Sequence, residues 1–207
     1  MTGVLIVGNG NPPSPSVLDY YVSKCAVIIA LDGAAITLQK RKIQPDVIIG
    51  DMDSLTPEQI DLFLSQGVVV IRDSAQDTSD ISKGLTWSKN QYPEKHIDVI
   101  GIDGGRLDHR LAAFSALFEC QSRAHLHIDE WLIARVTTEP IQYDTTGSRN
   151  ISLIPFGNVS GVTLLGCKYP LDDAQLNSGT QGIHNEALGN EISASCQQGD
   201  LLLLIGV

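Results

Sequence analysis

Residues 47–71 read VIIGDMDSLTPEQIDLFLSQGVVVI and contain the clearest fold signal of the chain. A short β-branched run, residues 47–49, is followed by an aspartate-rich loop, a helical segment and a second apolar run at residues 68–71. The helix begins at Thr56-Pro57-Glu58-Gln59, a capping box with proline at the first helical position, and Gly67 ends it. This order predicts two parallel strands joined by a helical crossover.

The same alternation extends from residue 4 to about residue 128. Further β-branched runs occupy residues 4–7, 26–30, 97–102 and 125–128, and they suit strands that are buried on both faces. Ile81, Leu85 and Ser88 lie on one face of a second predicted helix. An apolar stripe marks a third helix and consists of Leu107, Leu111, Phe114 and Phe118. The first half is therefore predicted to be an α/β domain with a parallel, Rossmann-like sheet.

The second half has a different pattern, because the helical period disappears from about Trp131. Short apolar segments, WLIARVT, IQYD, NISLIPF, GVTLLG, EISASC and LLLLI, alternate with turn residues that include Gly147, Gly157 and Gly161. This pattern predicts a smaller all-β domain, a sandwich or a barrel-like sheet. We expect the boundary near residues 124–134, with the α/β domain over residues 1–128 and the all-β domain over residues 129–207.

Composition narrows the function classes. The 207 residues are 43% hydrophobic and 18% charged, as in a folded, water-soluble protein. The apolar runs are too short to cross a bilayer and the first residues lack the basic region of a signal peptide, so we expect no membrane association and no secretion. A formal charge of −10 has the wrong sign for binding nucleic acid through its phosphates. The four cysteines are far apart; they predict reduced thiols in the cytoplasm and give no support for a zinc site.

Acidic residues follow the predicted parallel strands at their carboxyl ends. In chain order these loop residues are Asp32, then Asp51 and Asp53, then Asp73, Asp77 and Asp80, and finally Asp103 and Asp108 with Arg106. The carboxyl ends of parallel strands meet at one edge of a sheet, so we expect many of these carboxylates to lie close together. Clustered carboxylates with few histidines nearby favour Mg²⁺, which usually completes its shell with water and phosphate oxygens.

Glycine and arginine residues add a candidate phosphate-binding element at the same edge. Gly104 and Gly105 let the backbone approach an anion closely, and Arg106 supplies a forked cation. The helices that follow these loops direct their positive N-termini toward this edge. Metal ligands, glycines, arginine and helix ends together predict phosphoryl or pyrophosphoryl transfer from a nucleotide.

Each residue also has a purely structural interpretation. Asp51 and Asp53 suit a turn and cap before the helix at Pro57, and the acidic residues at the starts of the later helices suit the helix dipole. The loop over residues 9–13 is either a wall of a nucleotide site or a plain turn, and His109 is expected to be structural. The convergence of several acidic loops on one edge is what favours a metal–nucleotide site.

Several motifs resemble those of the thiamin pyrophosphokinase (thiamine diphosphokinase) family. In the first half they are DGA at 32–34, PDVIIGDMDS at 45–54, QDTSD at 76–80 and GGRLDH at 104–109. In the second half they are SLIPF at 152–156, GVTL at 161–164, GCKYPL at 166–171 and GIHNE at 182–186. They run in the family's order over nearly the whole chain, and PDVIIGDMDS together with GGRLDH is the specific part.

The resemblance implies an activity and a domain organisation. The activity is transfer of the pyrophosphoryl group of ATP to the hydroxyl of thiamin, giving thiamin diphosphate and AMP, with Mg²⁺ as cofactor. The implied architecture is an α/β catalytic domain followed by a β-sandwich domain that helps to bind thiamin. The implied assembly is a homodimer with active sites at the subunit interface.

Motif positions imply roles for individual residues. The implied metal ligands are Asp51, Asp53 and Asp80, and the wider catalytic set adds Asp77, Arg106 and Asp108. The implied ATP neighbours are Asp32, Gln76, Asp77, Ser79, Gly104, Gly105, Arg106 and Asp108. Asp77 and Asp108 are the candidates to accept the hydroxyl proton. Asn185 is expected to face thiamin, with His184 beside it.

Two positions depart from the family pattern. Ala34 replaces a glycine, and His184 stands where a serine usually precedes the asparagine. An imidazole is larger and can become cationic, which bears on recognition of the acceptor. Two alternatives therefore stay open: a pyrophosphokinase acting on another alcohol such as a hydroxymethylpterin, and a non-catalytic Mg²⁺–nucleotide-binding module.

Overall fold

A computed structural model describes residues 3–146 and 149–206 of the chain. Gly147, one of the predicted turn residues, lies outside the described residues. The chain divides into two compact units, Met1–Ile128 and Asp129–Val207. It is a mixed α/β protein, as the sequence predicts. None of the helices in the described ranges has the length and apolar character needed to span a membrane.

The first unit alternates strands and helices. In chain order these are β1 (Gly3–Val7), α1 (Pro15–Lys24), β2 (Cys25–Leu31), α2 (Ala34–Lys40), β3 (Val47–Gly50), α3 (Pro57–Ser65), β4 (Val69–Arg72), α4 (Asp80–Gln91), β5 (Ile97–Ile100), α5 (Leu107–Glu119) and β6 (His125–Ile128). The strands lie in the order β4-β3-β2-β1-β5-β6, and each of these pairings is parallel. All six strands therefore end at the same edge of the sheet.

Side-chain caps fix where the helices begin after that edge. The predicted capping box is present: Gln59 N donates to Thr56 Oγ1 at 3.3 Å, and Thr56 N donates to Gln59 Oε1 at 2.9 Å. Ser79 caps α4 in the same way, because its Oγ accepts from Ser82 N at 3.2 Å. Each cap holds one end of an acidic loop, and the strand end holds the other.

Some apolar side chains of this unit are more exposed to solvent than the sequence predicts. Val69 is exposed, although its run is expected to be buried on both faces, because β4 is the outermost strand of this order. Leu107 and Leu111 are predicted to face the core, but they are 68% and 55% exposed. The buried side of α5 instead presents Ala113, Ala116 and Leu117. The prediction of the α5 stripe is therefore wrong at its first two positions.

The second unit consists of antiparallel strands over its described residues. They are β7 (Trp131–Val136), β8 (Ile141–Asp144), β9 (Asn150–Leu165), β10 (Leu171–Asn177), β11 (Asn185–Glu186), β12 (Glu191–Ser195) and β13 (Gln198–Gly206). Strand β13 lies between β7 and β9, and β12 lies between β8 and β9. Strands β10 and β11 also pair with β9. Their inward side chains, such as Leu153, Val162 and Leu203, form a separate apolar core.

The segments NISLIPF and GVTLLG are predicted to be two strands, and this prediction is wrong. They form one strand, β9, which continues through Gly157 and Gly161 at φ values of +83° and +66°. These left-handed conformations are open to glycine, so the chain bends there without leaving the strand. One bent strand therefore pairs with β13 through its first half and with β10 and β12 through its second.

One face of β5 and β6 carries ionisable side chains. Asp98 lies opposite His125 in the register of these strands. Because side chains alternate along a strand, one face holds His96, Asp98, His125 and His127. The opposite face is buried and apolar, and it holds Ile97, Val99, Leu126 and Ile128. Burial, together with the charge of the neighbouring His96, lowers the pKa of His125 to about 3.

This shift predicts loss of stability in acid. In the unfolded chain His125 takes up a proton near its ordinary pKa of 6.5, whereas the folded chain resists protonation down to about pH 3. Its contribution to folding is therefore present above pH 6.5 and is lost as the pH falls toward 3. The expected slope is at most about 1.4 kcal/mol per pH unit in the free energy of unfolding.

Urea unfolding in chelator at several pH values measures this slope. His125→Phe keeps a ring in the same place and is expected to flatten the profile, whereas the exposed control His109→Gln leaves it as in wild type. An unchanged slope in His125→Phe would contradict the assignment.

Candidate active site

Three aspartates converge at the carboxyl edge of the first unit. Asp32 follows β2, and Asp51 and Asp53 follow the neighbouring β3. One carboxylate oxygen from each lies within 4.8 Å of the others. Asp32 is only 3% exposed, Asp51 is partly buried and Asp53 is exposed. We call these three residues the acidic cluster.

The backbone of both loops holds the acidic cluster together. Asp32 and Met52 have positive φ values of +43° and +66°, which cost a residue with a Cβ about 1 kcal/mol or more. Met52 is buried, so it anchors the loop between Asp51 and Asp53. Gly50 allows close approach, since a Cβ there would lie 3.0 Å from the Cβ of Asp32. Strain of this kind concentrates where a structure must hold functional groups in place.

The buried carboxylate of Asp32 is incompletely paired. Its Oδ1 has no hydrogen-bond partner among the described residues. Burying a charge without a partner is costly, and two more carboxylates nearby add repulsion. A divalent cation relieves both costs, and carboxylate oxygens are the hard ligands that Mg²⁺ prefers. The acidic cluster therefore fits Mg²⁺.

Asp80 lies in the first turn of α4 and is paired with a lysine. Its Oδ1 lies 3.3 Å from Nζ of Lys83, which also donates to the backbone oxygen of Asp73 at 2.9 Å. Burial raises the pKa of Asp80, Lys83 opposes this shift, and the charges of Asp51 and Asp32 add to it. Asp80 is thus coupled to the acidic cluster, although it does not share the 4.8 Å grouping.

Lys83 is buried and is not among the residues predicted from the sequence. Its three-residue spacing from Asp80 on a predicted helix is the signal that could have found it. A cavity of about 380 Å³ opens beside it. The polar lining of this cavity includes Asp73, Thr78, Ser82, Lys83, Asn90 and Glu119, and Trp87 contributes an aromatic ring. This volume is in the range that holds small-molecule ligands.

Arg106 and Asp108 form an ion pair at the start of α5. Arg106 Nη2 and Nε donate to the two carboxylate oxygens of Asp108 at 2.6 and 3.1 Å. These bonds lower the pKa of Asp108 to about 2, so its carboxyl group is ionised at neutral pH. Both side chains are exposed, and an exposed pair of this kind can reopen at little cost.

The Gly104–Gly105 turn that precedes this pair has a backbone that other groups can approach closely. Both glycines have left-handed φ values, +66° and +65°. Asn11, in the loop after β1, packs so closely on Gly104 that a Cβ there would overlap its side chain. The loops after β1 and β5 therefore meet at the edge that bears the acidic cluster.

The remaining predicted nucleotide neighbours occupy the loop between β4 and α4. Gln76 and Asp77 are exposed, and Ser79 is the α4 cap described above. Their roles stay predictions, because nothing in their contacts selects a ligand.

Asn185 lies in the second unit and makes a structural clamp. Its Oδ1 accepts from Tyr169 N at 3.0 Å and from Glu186 N at 2.9 Å. Its Nδ2 donates to Tyr169 O at 2.7 Å. The side chain is 8% exposed and fastens the turn at Tyr169 to β11, while the adjacent His184 is exposed with φ of +63°. Its expected contact with thiamin stays a prediction, and the clamp is a role that the motif does not reveal.

Fold and site together define an α/β protein whose sheet edge suits a divalent cation and a polyphosphate. Comparison with protein families is consistent with that class. The thiamin pyrophosphokinase catalytic domain matches residues 18–128, and the vitamin B1 binding domain of the same family matches residues 136–200. The chain belongs to the thiamin pyrophosphokinase family.

Individual relatives carry the same name. Thiamine pyrophosphokinase of Bacillus subtilis (strain 168) is 27% identical over 211 residues, which cover 99% of this chain and 98% of that protein. Thiamine pyrophosphokinase 1 of Oryza sativa subsp. japonica is 28% identical over 152 residues, and the match covers 68% of this chain but only 58% of the rice protein. The crystal structure of the Bacillus subtilis enzyme superposes with a TM-score of 0.80 at 25% identity, over 99% of both chains.

The Asn185 clamp predicts a stability effect. Asn185→Ala leaves the backbone groups of Tyr169 without partners, so we expect the free energy of unfolding to fall by about 1–3 kcal/mol. Equilibrium urea unfolding measures it. The neighbouring control His184→Asn, a residue that tolerates positive φ, is expected to change stability by less than about 0.5 kcal/mol. Equal stability of Asn185→Ala and wild type would rule out the clamp.

Proposed function

We propose that this chain transfers the pyrophosphoryl group of ATP to the hydroxyl of thiamin, giving thiamin diphosphate and AMP. The observation that carries the proposal is the acidic cluster with the unpartnered buried oxygen of Asp32, in a chain matched by both domains of the thiamin pyrophosphokinase family. In this proposal the unit over residues 1–128 is a Rossmann-like catalytic domain. The unit over residues 129–207 is a β-sandwich domain that contributes to thiamin binding.

The cation proposed for this site is Mg²⁺. Motif positions name Asp51, Asp53 and Asp80 as its ligands, and the grouping of carboxylate oxygens supports adding Asp32 to that set. When bound, Mg²⁺ supplies charge neutralisation for the triphosphate and orients it for in-line attack. Asp80, paired with Lys83, joins the ligand set when that ion pair opens.

Cationic groups around the acidic cluster are proposed to bind the phosphates. Arg106 exchanges its pairing with Asp108 for phosphate oxygens, which accept its forked donors in the same geometry. The Gly104–Gly105 turn offers backbone N–H groups to the same anion. Lys83 lies beside a cavity large enough for part of a nucleotide, so we add it to the proposed phosphate neighbours with Gln76 and Ser79.

Two carboxylates are candidates to accept the proton from the attacking hydroxyl. Asp77 is exposed at the edge of the loop before α4. Asp108 is ionised while it is bound to Arg106, and it becomes a free base once Arg106 turns to phosphate. Positioning and charge stabilisation can also suffice without a dedicated base.

Thiamin carries a positive ring, and the formal charge of −10 favours its approach. In the second unit we propose that His184 faces the acceptor, because it is exposed beside the Asn185 clamp. Asn185 then acts by holding the turn at Tyr169, in addition to any direct contact.

We place the protein in the cytoplasm, where its four free cysteines stay reduced.

A homodimer with active sites at the subunit interface is part of the proposal. The exposed Leu107 and Leu111 lie on the first turns of α5, directly after Arg106, and contact with a second copy would cover them. Light scattering at micromolar concentration is expected to give twice the 22.3 kDa chain mass. A single-chain mass would contradict a shared active site.

Formation of AMP from ATP, Mg²⁺ and thiamin tests the activity, with each component omitted in turn. AMP is expected only in the complete mixture. Asp32→Asn and Asp53→Asn are expected to lower kcat/KM by about 10²-fold or more, because each removes a carboxylate from the proposed cation site. Asp61→Asn, an exposed acid on α3, is the matched control and keeps wild-type activity.

Two outcomes would separate this proposal from its alternatives. AMP formation with hydroxymethylpterin in place of thiamin would favour a related pyrophosphokinase. Binding of Mg²⁺ and ATP without turnover of either alcohol would favour a non-catalytic module. Undiminished turnover by Asp53→Asn at saturating Mg²⁺ would refute the metal assignment.

A further inference from the structure

A second group of potential metal ligands lies on the ionisable face of β5 and β6. Single ligand atoms from His96, Asp98 and His125 lie within 4.8 Å of one another. The rings of His96 and His125 meet edge to face, with centroids 4.1 Å apart. None of these three residues takes part in the proposed reaction. No cysteine belongs to this group, so the spacing of the cysteines in the sequence gives no signal for it.

Neighbouring side chains orient the central carboxylate. His127 Nε2 lies 2.8 Å from Asp98 Oδ1, and Tyr21 OH lies 2.9 Å from His127 Nδ1. Because an ionised carboxylate only accepts, His127 donates a hydrogen bond through Nε2 and accepts one from the Tyr21 hydroxyl at Nδ1. These two hydrogen bonds connect α1 to β6 and β6 to β5, and they fix the orientation of the Asp98 carboxylate. Metal ligands in proteins are commonly held by such an outer set of hydrogen bonds.

We propose that His96, Asp98 and His125 bind a borderline divalent transition metal such as Zn²⁺. Two imidazoles and one carboxylate are a ligand set that suits Zn²⁺ far better than Mg²⁺. His96 is exposed, so water can complete a tetrahedral shell. Asp98 and His125 face each other across two parallel strands, so the bound metal ties β5 to β6.

This site is separate from the acidic cluster. His96 directly precedes β5 and His125 begins β6, so both lie at the amino ends of their strands. Asp32, Asp51 and Asp53 follow the carboxyl ends of parallel strands in the same sheet. The two groups therefore occupy opposite edges of one sheet, and their ligand types select different cations.

Zn²⁺ itself is the probe. The full chain, stripped with chelator and then placed in excess Mg²⁺, is titrated with Zn²⁺ by calorimetry, and thermal unfolding is followed in parallel. A saturable Zn²⁺ site and a higher unfolding temperature are expected for wild type, since a metal that binds only the folded chain stabilises it. His96→Ala and His125→Phe are each expected to weaken binding at least about tenfold.

Matched controls locate the site. Asp53→Asn alters the acidic cluster and His109→Gln removes an exposed histidine elsewhere, so both are expected to bind Zn²⁺ as wild type does. His96→Ala changes an exposed side chain and keeps the test informative if His125→Phe fails to fold. The proposal is overturned if wild type binds no Zn²⁺, if His96→Ala binds it with wild-type affinity, or if Asp53→Asn abolishes binding.

Discussion

Repulsion among three carboxylates is the constraint around which the first unit is arranged. Asp32, Asp51 and Asp53 come from two adjacent strands and lie within 4.8 Å of one another, with Asp32 buried. Such a group is unfavourable by itself, because like charges repel and the buried Asp32 carboxylate loses hydration. The fold holds it by positive-φ conformations at Asp32 and Met52 and by the anchored Met52 side chain. In the proposed function, a bound cation turns this unfavourable group into a ligand set.

The two units divide the proposed task in different ways. In the first, parallel strands bring loops that are distant in the chain to one edge, where charge is concentrated. In the second, antiparallel strands surround an apolar core, and the Asn185 clamp shapes the turn at Tyr169. The proposed binding of ATP and Mg²⁺ thus depends on electrostatics, whereas the proposed recognition of thiamin depends on how a turn is held.

Much of the fold follows from local signals. The capping box at Thr56 and the β-branched runs predict the strand–helix alternation, and the aspartates that directly follow those runs are thereby predicted to share one edge. The rest depends on contacts that local patterns do not contain. The continuity of β9 through two glycines requires partners on both sides, and the exposure of Leu107 and Leu111 reflects close packing by alanines on the opposite side of α5. Asp32 joins the acidic cluster through burial and strand pairing, and the Asn185 clamp forms with a residue 16 positions away in the chain. Lys83, by contrast, could have been found from its three-residue spacing from Asp80 on the predicted helix.

The most direct measurement is anomalous diffraction from crystals grown with Mn²⁺ in place of Mg²⁺ and a non-hydrolysable ATP analogue. We predict a Mn²⁺ peak coordinated by oxygens of Asp32, Asp51 and Asp53, with phosphate oxygens completing the shell. A peak elsewhere, with the Asp32 carboxylate still unligated, would contradict the proposed cation site.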